Sequence, residues 1–159
     1  MFATANVFCR LGSMAPQNYS LGYAGDLSAA EAWTLLHGDP AAQLVDVRTT
    51  VEWNFVGMPD LSQIGRRVHC VEWQCFPSME QNPGFVEQAG GALGGRKDAP
   101  VLFLCRSGAR SRAAAIAMAT AGYERAYNIA GGFEGDLDQN RQRGNQNGWK
   151  AAGLPWRQS

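Results

Sequence analysis

The chain has no apolar stretch near the roughly 18 residues that a membrane-spanning helix needs. It has no surplus charge: 14 Lys and Arg balance 14 Asp and Glu. That balance gives no electrostatic footprint for nucleic acid or another polyanion. Histidine is scarce, and His37 and His69 do not stand at ligand spacing from each other. The four cysteines, Cys9, Cys70, Cys75 and Cys105, form no Cys-x-x-Cys pair. This pattern argues against a zinc site, and neither metal nor cofactor is expected. There is no internal repeat. Residues 1–20 carry one arginine and no acid. That is too little arginine for a transit peptide, and the apolar centre is too short for a secretory signal, so a loosely ordered extension is expected.

What remains is enough for a packed core. Of 159 residues, 45% are apolar and 18% charged, which fits one domain over residues 21–159. Short apolar runs alternate with helical patterns, the mark of βα units and a mainly parallel sheet. Strands are expected at Leu21–Gly25, Gln43–Val47, Arg67–Glu72, Pro100–Leu104 and Arg125–Ile129. Helices are expected after Asp26 or Ser28, from Thr49 or Thr50 through Trp53, over Pro83–Ala92 and over Arg110–Thr120. Gly90-Gly91-Ala92-Leu93-Gly94-Gly95 follows a helix pattern rather than a strand, so it reads as a connection and not a nucleotide loop. Residues 134–147 are polar and read as an inserted, solvent-exposed loop.

The chemistry concentrates in Val101-Leu102-Phe103-Leu104-Cys105-Arg106-Ser107-Gly108-Ala109-Arg110-Ser111-Arg112. A continuously apolar strand is buried on both faces, and it ends on a cysteine. Open α/β sheets bind ligands at that end of their strands. A Gly-containing turn and a helix start follow, so backbone amides and the helix dipole supply partial positive charge beside the sulfur. Arg106 and Arg110 add full charges. Such surroundings favour a thiolate and welcome an anion.

Cys105-Arg106-Ser107-Gly108-Ala109-Arg110-Ser111 resembles the active-site loop of the rhodanese family of sulfurtransferases. Three more segments agree with that family in order. Leu44-Val45-Asp46-Val47-Arg48 with Glu52-Trp53 resembles its Asp-x-Arg segment. Tyr127–Phe133 resembles its strand followed by Gly-Gly, and Gly148–Pro155 its closing phrase. Gly57-Met58-Pro59-Asp60 stands where many members carry Gly-His-Ile-Pro-Gly. The resemblance implies a rhodanese-like α/β fold: a five-stranded sheet with helices on both faces.

It also implies a reaction. Cys105 takes a sulfane sulfur from a small anionic donor such as thiosulfate, and passes it to a thiol or cyanide acceptor or to a sulfur-relay protein partner. Residues Arg106, Ser107, Gly108, Ala109 and Arg110 would bind the charged sulfur. One of Arg106 and Arg110 could instead face inward as a brace. Asp46 and Arg48 would orient the loop, contact substrate or form a structural ion pair. Four residues separate Cys105 from Arg110, whereas cysteine-dependent phosphatases use five, so the cradle is sized for sulfur rather than phosphate. The alternatives are a Cys-His hydrolase, disfavoured because neither His37 nor His69 lies in a recognisable partner motif, a non-catalytic or persulfide-carrying interaction module, and a redox protein in which Cys70 or Cys75 resolves Cys105. An activated thiol also needs a reducing compartment, which makes the cytoplasm the expected location.

Overall fold

A computed structural model of the chain describes residues 21–159. The expected extension and Cys9 lie outside the described residues. In chain order the elements are β1 (Gly25–Leu27), α1 (Ala29–Gly38), β2 (Gln43–Asp46), α2 (Thr50–Phe55), β3 (Met58–Pro59), a 3-10 turn (Ser62–Ile64) and β4 (Val68–Cys70). They continue with β5 (Gln74–Cys75), β6 (Glu80–Gln81), α3 (Phe85–Ala92), β7 (Val101–Leu104), α4 (Ala109–Thr120), β8 (Ala126–Ile129), α5 (Gly148–Ala151) and β9 (Trp156–Arg157).

Five strands form one sheet in the order β1-β8-β7-β2-β4. Every neighbouring pair in it is parallel. The central strand β7 is buried along its whole length, as continuous apolar character requires. Its side chains alternate between two cores. Val101, Phe103 and Cys105 join Phe85 of α3 and Ala114 and Met118 of α4 on one face. Leu102 and Leu104 join Leu36 of α1, Phe133 and Trp149 of α5 on the other. Helices therefore cover both faces, in agreement with the expected architecture.

Local signals set most boundaries. Ser28 caps α1 in a capping box with Glu31, and Thr49 caps α2 in another with Glu52. Most boundaries shift by no more than two residues, and two strands differ most from expectation. The first strand is Gly25–Leu27 rather than Leu21–Gly25, because Gly22 and Gly25 both take positive φ and break the earlier run. Asp26 thus belongs to a strand, and Ser28 alone caps the helix. The third strand is shorter than Arg67–Glu72, although Val71 and Trp73 still donate to Asp46 and Val47 carbonyls beyond its end. The small pairs β3–β9 and β5–β6 and the short α5 carry no clear periodicity and were not expected.

The polar segment after Gly135 is tied to itself. The Asp138 carboxylate accepts from the amides of Asn140 and Gln142 and from Asn145 Nδ2. Asn147 Oδ1 accepts from the Asp136 amide, and Arg143 donates to the Gly135 carbonyl at 2.7 Å.

Candidate active site

Cys105 is the first residue past β7 and is 1% exposed. Its Sγ accepts a hydrogen bond from the Gly108 amide at 3.1 Å and lies 3.1 Å from Ser111 Oγ. Gly108 precedes α4, and that helix has no side-chain cap. The orphan donors of a twelve-residue helix therefore open beside the sulfur.

The loop is held from behind by the segment after β8. Phe133 donates to the Cys105 carbonyl at 2.8 Å, and Glu134 and Gly135 donate to the Arg106 carbonyl at 2.9 and 3.1 Å. This close approach explains Gly132, at φ +62°: a Cβ there would sit 2.6 Å from the Cys105 and Arg106 carbonyl oxygens.

The two loop arginines have separated environments. Arg106 is exposed beside the cysteine. Arg110 is the inward brace: its Nη1 and Nη2 donate to the two Glu52 carboxylate oxygens at 2.7 and 2.9 Å. Ser107 is half-buried and Ala109 exposed. Glu52 is thus a member of the site with no role assigned from sequence. It lies 58 residues from Arg110, and no spacing rule links them. The other residues missed are Ser111, Asn128 and Asp26, which continue a hydrogen-bonded row behind the sulfur.

Asp46 and Arg48 form an ion pair that is fully buried. Arg48 Nη2 meets Asp46 Oδ2 at 2.6 Å and also donates to the Gly57 carbonyl at 2.8 Å. The guanidinium lies 4.4 Å from the Phe133 ring centroid. At 0% exposure both side chains are closed to solvent, so this pair braces β2, the Gly57 turn and the segment behind the loop.

Cys70 and Cys75 line a separate open cleft of about 550 Å³ with Trp53, Glu72, Asn82 and Gln88. Desolvation, with help from the Asp46 carboxylate, pushes the Cys70 thiol up to about 12. It is therefore protonated near neutrality and poorly suited to resolve Cys105. Among the described residues no group of three or more His, Cys, Asp or Glu is set to hold a metal ion.

The Glu52–Arg110 clamp carries a pH signature. Burial pushes the Glu52 carboxyl up, but the Arg110 hydrogen bonds and charge, with those of Thr49, outweigh it, and the net shift is downward from 4.5. A depressed folded value means that stability is present above the ordinary value and is lost as pH falls through the folded one. Wild type is expected to lose stability progressively below 4.5, and Glu52→Gln to lose less over that window. Denaturant midpoints measured from neutral to acid pH check this. Parallel curves for the two proteins would show the clamp to be neutral in energy.

This sheet order, with a cysteine loop at the carboxyl end of its central strand, defines a rhodanese-like α/β protein. The chain belongs to the family of the STR4 middle domain, whose model matches residues 24–159. Its fold matches the crystal structure of Rv0390 from M. tuberculosis, 47% identical, with a TM-score of 0.77 over 86% of this chain and 99% of that one. It is 36% identical over 131 residues to the uncharacterized protein RP600 of Rickettsia prowazekii, covering 82% of this chain and 95% of that protein. It is 28% identical over 129 residues to the chloroplastic rhodanese-like domain-containing protein 4 of Arabidopsis thaliana, covering 81% of this chain and 25% of that longer protein. The fold is also that of the polysulfide-sulfur transferase homodimer of Wolinella succinogenes, at 22% identity and a TM-score of 0.58 over 88% of this chain and 84% of that one. No helix among the described residues is long and apolar enough to cross a membrane.

Proposed function

We propose that the protein is a sulfurtransferase that carries sulfane sulfur as a persulfide on Cys105. The observation that carries this reading is the cysteine sulfur, at the end of β7, set 3.1 Å from the Gly108 amide at the uncapped start of α4. In the first half-reaction the Cys105 thiolate attacks the outer sulfur of an anionic donor such as thiosulfate. A new S–S bond forms, the donor's S–S bond breaks, and sulfite leaves with the bonding pair. In the second half-reaction cyanide or a thiolate attacks the outer sulfur, and the Cys105 thiolate is released. This is covalent catalysis with a ping-pong order. Neither half-reaction changes the total electron count, so neither calls for an external redox cofactor.

The loop divides the work. Backbone amides from Arg106 to Arg110 receive the charged outer sulfur in the manner of an oxyanion hole. Arg106 guides the anion, because Arg110 is already balanced by Glu52. Four spacers between Cys105 and Arg110 favour sulfur over a tetrahedral phosphate. The natural acceptor is a thiol, free or on a sulfur-relay partner, in a reducing compartment such as the cytoplasm. The relatives named rhodanese-like support the sulfur-transfer class.

Intact mass after incubation with thiosulfate tests the reading. One added sulfur atom is expected on wild type, reversed by cyanide and lacking in Cys105→Ser. An unchanged wild-type mass with thiosulfate and with a polysulfide donor alike would favour an interaction module instead.

A further inference from the structure

Behind the sulfur lies a row of polar side chains that runs away from the donor side. Ser111 Oγ is 3.1 Å from Cys105 Sγ and 2.6 Å from Asn128 Oδ1. Asn128 Nδ2 donates to Asp26 Oδ1 at 3.0 Å, and the Tyr23 hydroxyl donates to the same oxygen at 2.7 Å. Asp26 and Asn128 face each other across the β1–β8 ladder. Ser111 is 0% and Asn128 3% exposed, so their hydrogen bonds must be met within the protein.

Counting protons gives this row a direction. An ionised Asp26 only accepts, so it fixes the Asn128 amide with nitrogen toward β1 and oxygen toward Ser111. The amide oxygen also only accepts, so Ser111 spends its single hydroxyl proton on Asn128. Ser111 then has only lone pairs to offer Cys105, and these suit an S–H donor, a neutral thiol. When the thiol gives its proton to water, the Ser111 hydroxyl must turn to donate to the thiolate. Asn128 Oδ1 then faces an oxygen lone pair with no proton between them. Turning the amide over would relieve this, but would bring its oxygen against the Asp26 carboxylate.

We propose that Asn128, locked by Asp26, is a positioning residue that holds the Ser111 proton away from Cys105, so that thiolate formation is coupled to breaking the Ser111–Asn128 hydrogen bond. This rests on Cys105 being the reactive thiol of the proposed function, and it gives that thiol a control point on the sheet edge, remote from the donor. The other charged groups around the row are few. Arg110, paired with Glu52, and the Asp46–Arg48 pair lie toward the cysteine, and Arg112 lies by the Tyr23 ring.

The test is a double-mutant cycle read without any sulfur donor. Alkylation of the Cys105 peptide by iodoacetamide is followed by mass spectrometry against pH. Asp26→Asn, on an exposed strand position, frees the amide to turn. It is expected to lower the pH of half-maximal alkylation by about half to one unit, the equivalent of one net hydrogen bond. In a Ser111→Ala background the same substitution is expected to shift it by much less, because the hydroxyl that transmits the effect is gone. An equal shift in both backgrounds would mean a bare charge effect of Asp26 and would overturn the proposal, as would no shift in either. Asn128→Ala supplies a second arm: it is expected to act in the same direction as Asp26→Asn and to depend on Ser111 in the same way. Because no sulfur transfer is measured, the cycle can hold where the mass test fails, and the reverse.

Discussion

Cys105→Ser is expected to reduce sulfur transfer from thiosulfate to cyanide to the uncatalysed background, a fall of at least about a thousandfold, in line with loss of a catalytic nucleophile. A hydroxyl in that position has no means to hold sulfane sulfur, whatever the surrounding amides do. The substitution is nearly isosteric. Its oxygen keeps acceptor capacity for the Gly108 amide, and its hydroxyl proton can replace the thiol's toward the Ser111 lone pairs, so the fold should survive it. Cys70→Ser and Cys75→Ser are the matched controls. Both residues line another cleft, and the Cys70 thiol stands at about 12. Each control should keep most of the activity. The measurement is the initial rate of thiocyanate formation, with circular dichroism as the folding check. Wild-type rates in Cys105→Ser would remove the central claim. An equal loss in folded Cys70→Ser or Cys75→Ser would instead place a second thiol in the reaction.

The parts of this site that were legible in the sequence are those that local rules govern. An apolar run ending in Cys105 announces a buried strand and a ligand-binding end, and Gly108 announces a turn into a helix. Asp26 or Ser28, and Thr49 or Thr50, announce two helix starts, of which the structure uses Ser28 and Thr49. The remainder depends on chain crossing. Glu52 carries no role in the sequence beyond its place beside Trp53 in the Asp-x-Arg segment, yet its carboxylate closes the Thr49 cap and clamps Arg110 from another element. Asp26 reads as a helix cap, yet it sits in an edge strand because its pairing with β8 outweighs its capping preference. Asn128 falls inside a strand pattern where an amide looks out of place. Its partners come from β1 and α4, and sheet order alone brings them together. The order β1-β8-β7-β2-β4 is itself not readable from alternation of strands and helices. The Asp46–Arg48 pair shows the limit in the other direction. Sequence found both residues, but only their complete burial separates a brace from a substrate contact.

Gly108→Ala is expected to cost both stability and activity, and it probes the cradle without touching a reacting atom. Gly108 sits at φ +116°, a backbone region that L side chains rarely adopt, and a Cβ there would run into the Ala130 carbonyl oxygen. Backbone strain of this kind costs about 1–3 kcal/mol. For a domain of this size that is a fall in melting temperature on the order of 2–12 °C. The backbone oxygen of Ala130 is held in the turn after β8, so the active-site loop must yield. As it moves, the Gly108 amide leaves its 3.1 Å contact with Cys105 Sγ and the start of α4 no longer converges on the outer sulfur. Misplacement of about an ångström at a reacting centre costs on the order of a hundredfold in rate, and a loss of that size is expected at a temperature where the variant is fully folded. Gly38→Ala is the control: it ends α1, and an added Cβ meets nothing within 4 Å. It should leave the rate unchanged and the melting temperature equal or slightly higher. Thermal melts and single-turnover persulfide formation measured on wild type and both variants decide the matter. A Gly108→Ala variant with a lowered melting temperature but a wild-type rate would show that the amide cradle is structural and that sulfur transfer at Cys105 proceeds without it.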